Sequence, residues 1–207
     1  DEPSISDFEF DLKLKELQDL ELAHPEFYDP NSPSLRVGGG VTKNFPTTQH
    51  QFRMYSLDNS YDFNDLEDWE NRILKTIENE EVEFVAELKY DGASISILFE
   101  NGELKQAVTR GDGFQGDEIT QNVRTISDIP LKLKGDFPER FFIRGEIYLT
   151  KKNFEKINKS REEEGLDLFM NPRNTASGSL KMQDSGEVRK RSLSAVLYQY
   201  IAEEFPA

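Results

Sequence analysis

The sequence predicts an α+β fold in which antiparallel sheets are flanked by helices. Short runs with strand-like alternation are joined by Asp91-Gly92 and Asn101-Gly102, dipeptides that favour tight hairpin turns. Segments with helical spacing occur before and after these runs, without the regular alternation of strand and helix that builds a parallel sheet. The 207 residues, 36% of them hydrophobic, are enough for one or two domains with a sizeable core.

The first predicted element is an amphipathic helix from about Asp7 to Leu22. Ser6 and Glu9 form a capping-box pattern at its start. Apolar residues then recur near helical spacing at Phe10, Leu14, Leu17 and Leu20. The following stretch, from Pro25 to Pro46, contains four prolines and three consecutive glycines. This composition is typical of a connecting loop.

The charge of the chain is unevenly distributed. Lys and Arg number 25 against 40 Asp and Glu, a net charge of -15, which argues against a protein that coats nucleic acid with its whole surface. Residues 1–80 hold 18 acids and 7 bases, whereas residues 81–207 hold 22 acids and 18 bases. We place a domain boundary near the end of the proline-rich loop, with a helical segment over residues 1–43 and a larger domain over 44–207. Any phosphate-binding site must be local.

The remaining elements follow from short-range patterns. Apolar spacing from Trp69 to Ile77, after the acidic segment 62–70, predicts a second helix that closes against the main body. Alternating and β-rich runs predict strands at Glu83–Tyr90, Ala93–Phe99, Leu104–Thr109, Phe141–Leu149 and Ala195–Ile201. A lysine-rich stretch over 151–164 predicts a helix between the last two strands.

Composition also excludes several classes of site. The chain contains no cysteine, which excludes disulfides, thiolate zinc sites and a cysteine nucleophile. Only two histidines, His24 and His50, are present, too few for a histidine metal cluster. No apolar run approaches the roughly 20 residues that span a bilayer, and the first residues do not resemble a signal peptide. We expect a soluble, cytoplasmic protein with no membrane partner.

Two charged segments stand out as candidate site residues. Glu87, Lys89 and Asp91 alternate with apolar residues, a pattern that by itself is more typical of a half-exposed strand than of a site. Arg144 and Glu146 place a base and an acid within a run of large apolar residues that would more naturally be buried. Two such strands could form the walls of one polar cleft.

A lysine in such a cleft suits attack on phosphorus. A lysine near its reference pKa of about 10.4 is protonated at neutral pH, so a nucleophilic one needs desolvation or nearby positive charge. Carboxylates alone have the opposite effect. Asp91 and Glu146 therefore make chemical sense as ligands of a substrate hydroxyl or of Mg²⁺, which opposes lysine protonation and neutralises phosphate oxygens.

Motifs in a fixed order carry a family resemblance. Lys89-Tyr90-Asp91-Gly92 is similar to the Lys-x-Asp-Gly motif of covalent nucleotidyltransferases, which include DNA ligases, RNA ligases and mRNA capping enzymes. The surrounding motifs are more specific: Tyr55 to Asn59, Glu87 to Lys89, Thr109 to Gly113, Asn122 to Ile126, Arg144 to Glu146 and Asn171 to Asn174. In this order they resemble the bacterial NAD-dependent DNA ligases over essentially the whole chain.

The resemblance implies the nucleotidyltransferase fold of a DNA ligase adenylation domain, which is ATP-grasp-like, and it implies a role for each matching position. Lys89 would attack the adenylyl phosphorus of NAD, release nicotinamide mononucleotide and hold AMP, which then passes to the 5′-phosphate of a DNA nick for sealing with Mg²⁺. The nucleotide-binding positions would be Glu87 at the adenine amino group, Ser56 and Leu57 at the border of the base, Tyr198 stacked on it, and Asp91, Arg110 and Glu146 around ribose and phosphate. On sequence alone, Tyr198 in its apolar run would be a core residue.

The ends of the chain match other parts of the family. The nicotinamide half would bind at Asp7, Phe8, Glu9, Phe10 and Asp11, with Phe10 where a tyrosine is usual, so that the contact of the tyrosine hydroxyl is lost. Residues 171–200 carry a local net charge of +3, and within them Arg173 and Lys181 would face DNA, Lys181 standing where many members have arginine. For Arg189 to Arg191 a solvated charged edge is an equally good interpretation.

The resemblance also implies that this chain is the larger part of an adenylation module. Later catalytic motifs and the zinc-bearing region of the family have no counterpart here, so we expect zinc only outside this chain, poor nick sealing by these 207 residues, and a monomer. Two other interpretations remain open. One is an ATP- or GTP-dependent RNA ligase or capping-type enzyme, and the other is a nucleotide-binding module without enzymatic activity.

Overall fold

A four-stranded antiparallel sheet is at the centre of the part of the chain that the structure describes. The structure is a computed structural model, and it describes residues 7–27, 29, 32–34, 45–77 and 82–202. In chain order the elements are α1 (Asp7–Ala23), a 3₁₀ turn (Pro25–Phe27), β1 (Thr47–Gln49), α2 (Phe63–Thr76), β2 (Ala93–Glu100), β3 (Glu103–Thr109), β4 (Gln115–Asp117), α3 (Thr120–Val123), β5 (Arg140–Tyr148), α4 (Lys151–Glu163), α5 (Pro172–Leu180), α6 (Ser185–Lys190) and β6 (Ser194–Ile201).

The strand order of the central sheet is β3-β2-β5-β6, with every neighbouring pair antiparallel. A short antiparallel pair of β1 and β4 lies beside it within the described residues. Asn101 and Gly102, with φ of 50° and 75°, form the tight turn between β2 and β3, as the sequence predicts for an Asn-Gly dipeptide. The order places β2 and β5 in the interior of the sheet, where both of their edges are paired.

The two faces of the sheet have different characters because side chains alternate along each strand. On one face, Ile95, Ile97 and Phe99 of β2 are almost completely buried. The core cluster that they join also includes Ile147 of β5, Ala176 and Leu180 of α5 and Val188 of α6. On the other face, Ser94 pairs with Glu146 and Ser96 pairs with Arg144 across β2 and β5. The apolar face anchors the helices, and the polar face is left for a site.

Helix starts are fixed by side-chain caps. Asp62, Thr150, Asn171 and Asp184 each accept a hydrogen bond from a backbone amide in the first turn of α2, α4, α5 and α6, respectively. Pro172 follows Asn171 at the first helical position, where its missing N–H leaves no hydrogen bond unmade. The Asn171-Pro172 pair of the sequence motif therefore marks the beginning of a helix.

Much of the predicted architecture is confirmed. The α+β class, the helix predicted over Asp7–Leu22, the lysine-rich helix and four predicted strands are present within one or two residues of their expected bounds. The loop predicted from Pro25 to Pro46 lies largely outside the described residues. Among the described residues, no helix is both long and apolar enough to cross a membrane.

Three local predictions are wrong. The segment Glu83–Tyr90 forms no strand, although it is described throughout, and Asp91-Gly92 is consequently not a hairpin turn. Its residues are exposed and it has no partner strand in the described chain, so alternation alone did not make a strand. No residue of α2, which is wholly described, is buried, so this helix does not close against the main body. Its Trp69 packs on Phe84 with ring centroids 5.1 Å apart.

Gly92 is fixed by a close approach between β5 and the residue that begins β2. A Cβ added to Gly92 would lie 2.0 Å from the carbonyl oxygen of Ile147. That contact is with backbone inside the sheet, which cannot move aside as the end of a flexible side chain can. Glycine is therefore the residue that lets the chain enter the sheet at this point.

We expect Gly92→Ala to destabilise the chain by about 1–3 kcal/mol, because the added methyl group forces β2 away from β5. Gly178→Ala is the matched control: it lies in helix α5, a Cβ there meets nothing within 4 Å, and alanine is the better helix former by about 0.5–1 kcal/mol. Urea unfolding of the two variants measures both effects. Equal stability of Gly92→Ala and the unaltered chain would contradict this account of the glycine.

Candidate active site

A cleft of about 1160 Å³ opens on the polar face of the central sheet. Eight of the predicted site residues line it: Leu57, Glu87, Lys89, Arg110, Glu146, Arg173, Lys181 and Tyr198. Ser56 and Asp91 are neighbours of lining residues in the sequence but do not themselves line the cleft. The volume is sufficient for a ligand larger than a mononucleotide, since sites for drug-sized molecules are about 300–1,000 Å³.

Glu146 of β5 forms the floor of the cleft together with the start of β2. One carboxylate oxygen, Oε1, accepts a hydrogen bond from the Gly92 amide at 3.1 Å, and Oε2 accepts one from the Ser94 hydroxyl at 2.6 Å. The side chain is half-buried and lies directly across from Ser94 in the strand pairing. Glu146 is thus held in one orientation by neighbours on the adjacent strand, with further lone pairs left for a ligand.

Lys89 lies on the irregular segment that leads into the sheet at Gly92. Its side chain is exposed and lines the cleft. The neighbouring Tyr90 packs against Tyr148 of β5 with ring centroids 5.2 Å apart. Asp91, next along, forms an ion pair with Arg173 of α5, with Oδ1 3.1 Å from Nη1. Contacts of the two residues that follow it therefore hold the lysine at the mouth of the cleft.

The loop that follows β3 brings Arg110 to the cleft. The Arg110 amide donates to the Ser94 carbonyl at 2.9 Å. Asp112 then accepts hydrogen bonds from the amides of Gln115 and Phe114 through one oxygen, Oδ1, at 2.9 and 2.8 Å. These amides hold the pKa of the Asp112 carboxyl below its ordinary value. The turn-rich composition of this segment thus corresponds to a real turn, which also presents a cleft residue.

Tyr198 reaches the cleft because of an irregularity in β6. Arg144 pairs with Gln199 and Gly145 pairs with Leu197, so Tyr198 is the extra residue of a β-bulge. The side chain is 53% exposed, which corrects the sequence-based expectation of a core residue. Partial burial and the charge of Glu146 raise the pKa of the Tyr198 phenol, whereas a hydrogen bond with Ser94 lowers it. The phenol therefore stays protonated at neutral pH.

Two basic residues of the cleft are paired with carboxylates. Besides the Arg173–Asp91 pair, Lys181 at the end of α5 lies 2.6 Å from Asp117 at the end of β4. All four side chains are at least one-third exposed. Exposed ion pairs contribute about 0–1 kcal/mol each, so an incoming anion can replace the carboxylates at little cost.

Arg144, which the sequence predicts in a wall of the polar cleft but without a ligand, lines the cleft, and His50, which the sequence analysis gave no role, contacts the backbone of two lining residues. The Arg144 guanidinium is 8% exposed and donates to the carbonyl oxygens of Phe52 and Arg53 at 2.9 and 2.8 Å. Burial lowers its pKa from the ordinary value. The His50 ring lies 3.1 Å from the carbonyl oxygens of both Thr109 and Arg110. In the sequence, the position of Arg144 among large apolar residues identifies it as unusual. That pattern does not predict which groups the guanidinium contacts.

The carboxylates named for Mg²⁺ form no metal cluster by themselves. Among the described residues, no three or more histidine and acidic side chains are grouped to hold an ion. Asp91 is paired with Arg173, and both oxygens of Glu146 accept hydrogen bonds from the protein. Mg²⁺ is commonly bound by one or two carboxylates together with waters and substrate phosphates. The residues present fit an ion that arrives with a phosphate ligand.

The positions expected to bind the nicotinamide half lie at the start of α1. Asp7, Phe8, Glu9, Phe10 and Asp11 form its first turns, and the Glu9 side chain is exposed. The side chains of the other four lie outside what the structure describes. No described residue of α1 lines the cleft.

Comparison with known proteins follows the same division of the chain. The family model of the NAD-dependent DNA ligase adenylation domain matches residues 42–206, and that of the DNA ligase-like N-terminal NAD+-binding domain matches residues 1–38. A protein of Flavobacterium johnsoniae named DNA ligase is 62% identical over 206 residues, covering 100% of this chain and 31% of the relative. The DNA ligases of Flavobacterium psychrophilum and Chloroherpeton thalassium are 60% and 47% identical over 100% and 95% of this chain, in each case 31% of the relative. The chain spans about a third of the length of these curated relatives.

We expect Glu146→Ala to destabilise the chain by about 1–3 kcal/mol, because the Gly92 amide and Ser94 hydroxyl lose their acceptor. Glu146→Gln is the matched variant: its amide oxygen can accept from Gly92, and its NH₂ group can donate to the Ser94 oxygen, so stability should change by less than about 0.5 kcal/mol. Thermal and urea unfolding measure both. If Glu146→Gln lowers the free energy of unfolding as much as Glu146→Ala does, the negative charge, and not the hydrogen bonds, stabilises the floor of the cleft.

Proposed function

The chain belongs to the family of NAD-dependent DNA ligases, and from this premise we propose that it carries out covalent adenylyl transfer from NAD on Lys89 as the first step of sealing DNA nicks. The observation that supports this most strongly is that Lys89 lines the same large cleft as the acidic, basic and aromatic residues named for the nucleotide. A lysine exposed at the mouth of such a cleft is accessible to a bound phosphate.

In the proposed reaction the unprotonated Lys89 Nζ attacks the adenylyl phosphorus of NAD. A nitrogen–phosphorus bond forms, the bond to the bridging pyrophosphate oxygen breaks, and nicotinamide mononucleotide leaves with that oxygen. The nitrogen releases its remaining excess proton to solvent, leaving AMP on the lysine as a phosphoramide. The 5′-phosphate of a nick then attacks the adenylyl phosphorus, the nitrogen–phosphorus bond breaks, and Lys89 Nζ takes up a proton as it leaves. Finally the 3′-hydroxyl attacks the activated 5′-phosphate, its proton passes to solvent, and AMP departs with the bridging oxygen.

The walls of the cleft suit the adenosine half of NAD. We assign Tyr198 to stacking on the base, because its ring is exposed at the bulge and its phenol is neutral. Ser56 and Leu57 would border the base, and Glu87 on the segment before Lys89 would accept from the adenine amino group. The carboxylates of Asp91 and Glu146 would bind the ribose, and the Arg110 guanidinium the phosphate.

NAD rather than ATP is proposed as the donor because of the first residues of the chain. The family model that matches residues 1–38 is that of an NAD+-binding domain. We propose that Asp7 to Asp11 on α1 bind the nicotinamide half and that residues 1–43 and 44–207 are separate domains. The matched ranges of the two family models, 1–38 and 42–206, support this division. The exchange of the usual tyrosine for Phe10 would remove one hydroxyl contact.

Mg²⁺ would be held by phosphate oxygens together with the carboxylate of Glu146 or Asp91. When bound, the ion neutralises charge on the phosphates and opposes protonation of a nearby lysine. The chain's own contribution is orientation: the amide of Gly92 and the hydroxyl of Ser94 fix Glu146, and Arg173 fixes Asp91.

Nicked duplex DNA is the proposed partner, and DNA repair and replication are the processes that this activity serves. Arg173 and Lys181 line the cleft and would exchange their carboxylate partners for backbone phosphates without reading sequence. We propose that the protein is cytoplasmic, since bacterial DNA is in the cytoplasm, and that it is a monomer.

The two alternative functions predict different donors and adducts. An ATP- or GTP-dependent enzyme would also label Lys89 but would not need an NAD+-binding domain, and the match over residues 1–38 favours NAD. A non-enzymatic module would bind nucleotide without forming an adduct. The labelling experiment that follows separates all three functions, because a non-enzymatic module would give no adduct from any donor.

Incubation of the chain with adenine-labelled NAD and Mg²⁺ is expected to give an acid-labile AMP adduct on Lys89. Lys89→Met should reduce the adduct to below detection, because no other group occupies the nucleophile's position. Lys105→Met, which changes a lysine of edge strand β3 that pairs with Glu103, should label as the unaltered chain does. Peptide mapping identifies the site. Labelling from ATP but not NAD would overturn the proposed donor, and an adduct elsewhere would overturn the proposed nucleophile.

Removal of one DNA-facing charge is expected to weaken binding to a nicked duplex uniformly across sequences. Arg173→Ala or Lys181→Ala should each reduce the slope of log K against log salt by about 1, since one phosphate contact releases about one counterion. Fluorescence anisotropy at several salt concentrations measures the slope, with Lys105→Ala as the charge-matched control. An equal change in all three variants would show that only net charge matters and would contradict the assigned contacts.

A further inference from the structure

Arg144 connects two parts of the chain that approach the cleft from different directions. It lies on β5 with its side chain 8% exposed. One terminal nitrogen, Nη2, donates to the carbonyl oxygens of Phe52 and Arg53 at 2.9 and 2.8 Å. The other, Nη1, donates to Oε1 of Gln199 at 3.2 Å. A single buried guanidinium therefore holds both a loop and a strand.

The loop carries one wall of the base-binding end of the cleft. Residues 51–61 include no helix or strand, all of them being described. Tyr55 and Leu57, two and four residues after Arg53, line the cleft. The Met54 amide, next to these carbonyls, donates to the Gly113 carbonyl at 2.9 Å. The loop also meets β5 through side chains, since Phe52 packs on Phe142 with ring centroids 5.6 Å apart and Arg140 donates to the Gln51 side chain. Arg144 is the residue that ties the backbone of residues 52 and 53 to the sheet.

The strand carries another part of the lining of the cleft. Gln199 directly follows Tyr198, the residue that the bulge in β6 directs into the cleft. A bulge interrupts the ladder of backbone hydrogen bonds, so the chain at this point depends more on side-chain contacts. The contact from Arg144 to Gln199 lies immediately beside the interruption.

We infer that Arg144 is a positioning residue that sets the distance between Leu57 on the loop and Tyr198 on the strand. It thereby sets the affinity of the cleft for the adenine half of its nucleotide. This inference rests on the proposed function. In this role Arg144 does not contact the reacting atoms. It acts through the loop that bears Leu57 and the strand that bears Tyr198. The residue should therefore govern nucleotide binding more than the rate of the chemical step.

The geometry calls for arginine in particular. A planar guanidinium can donate in two fixed directions at once, to the carbonyls on one side and to Gln199 on the other, whereas a lysine is a point charge on a flexible stem. In the described structure the Nε atom of Arg144 is buried without a hydrogen-bond partner. A buried unpaired donor is unfavourable, which is unexpected for a residue present for stability alone and consistent with one placed for the sake of its two terminal nitrogens.

The test compares Arg144→Met and Arg144→Lys with the unaltered chain. Arg140→Met is the matched control: this arginine lies on the same strand but is exposed and contacts the side chains of Glu100 and Gln51. We measure single-turnover adenylation against NAD concentration, the dissociation constant of AMP by calorimetry, and hydrogen exchange of the amides of residues 53–57. For both Arg144 variants we expect KM for NAD and the AMP dissociation constant to rise about tenfold or more, with the maximal rate changed less than about threefold.

Hydrogen exchange separates positioning from a general structural role. In the Arg144 variants, exchange should accelerate over residues 53–57 but not in β2 and β3, and Arg140→Met should change neither. Uniform acceleration across the sheet, or a fall in maximal rate with KM unchanged, would overturn the inference. If Arg144→Met does not fold, Gln199→Leu releases one wall only, and we expect a rise of about threefold in the AMP dissociation constant; no change in that variant would likewise overturn it.

The AMP measurement keeps this inference distinguishable from the proposed function. If the unaltered chain forms no adduct from NAD but the Arg144 variants bind AMP more weakly than it does, the proposed function is overturned and the role of Arg144 is supported. Normal adduct formation on Lys89 with unchanged KM and AMP affinity in both variants would overturn the role of Arg144 alone. No AMP binding by the unaltered chain would overturn the inference directly.

Discussion

The contact between the start of β2 and the end of β5 is the constraint on which the cleft depends. Gly92 enters the sheet against the carbonyl of Ile147 with no space for a side chain, and its amide is bound by the Glu146 carboxylate. These two contacts fix the point at which the preceding segment enters the sheet, and Lys89 lies three residues before that point. The same two strands place Ser94 opposite Glu146, and the Ser94 carbonyl accepts the Arg110 amide. One junction thus sets the relative places of Lys89, Glu146 and Arg110.

Rigid and irregular parts of the chain have separate tasks around this junction. Glu146 and Tyr198 are on paired strands of a sheet whose other face is a closely packed core. Lys89 is on an exposed segment without regular structure, anchored by the contacts of Tyr90 and Asp91, the two residues that follow it. In the proposed chemistry the lysine first attacks a phosphorus atom and later leaves it, whereas the binding groups serve throughout. A nucleophile on a loop and a binding surface on a scaffold match these different demands.

The sequence predicts most of the sheet because its signals are local. The Asn101-Gly102 turn and the alternation of buried and polar residues in β2, β3 and β5 specify strands directly. The same alternation misleads at Glu83–Tyr90, because a strand also needs a partner, and partners are a property of the tertiary structure. The bulge at Tyr198 has no signature in a period-two pattern. Likewise, the contacts of Arg144 with residues 52 and 53, more than 90 positions away, follow from no short-range pattern, although its charge among apolar neighbours marks it as unusual.

The acidity of the chain is compatible with a polyanionic partner because two of the cleft's cations have carboxylate partners that can be exchanged. Arg173 and Lys181 are paired with Asp91 and Asp117 across exposed contacts. Since such pairs are worth little in water, a phosphate that replaces a carboxylate gains nearly the full attraction of the cation. The released carboxylate is then available to other ligands, and for Asp91 this ligand would be the ribose next to Lys89. Occupation of the cleft by nucleotide and exposure of Arg173 to DNA would therefore favour one another, so that the net charge of -15 describes the surface as a whole and not the site.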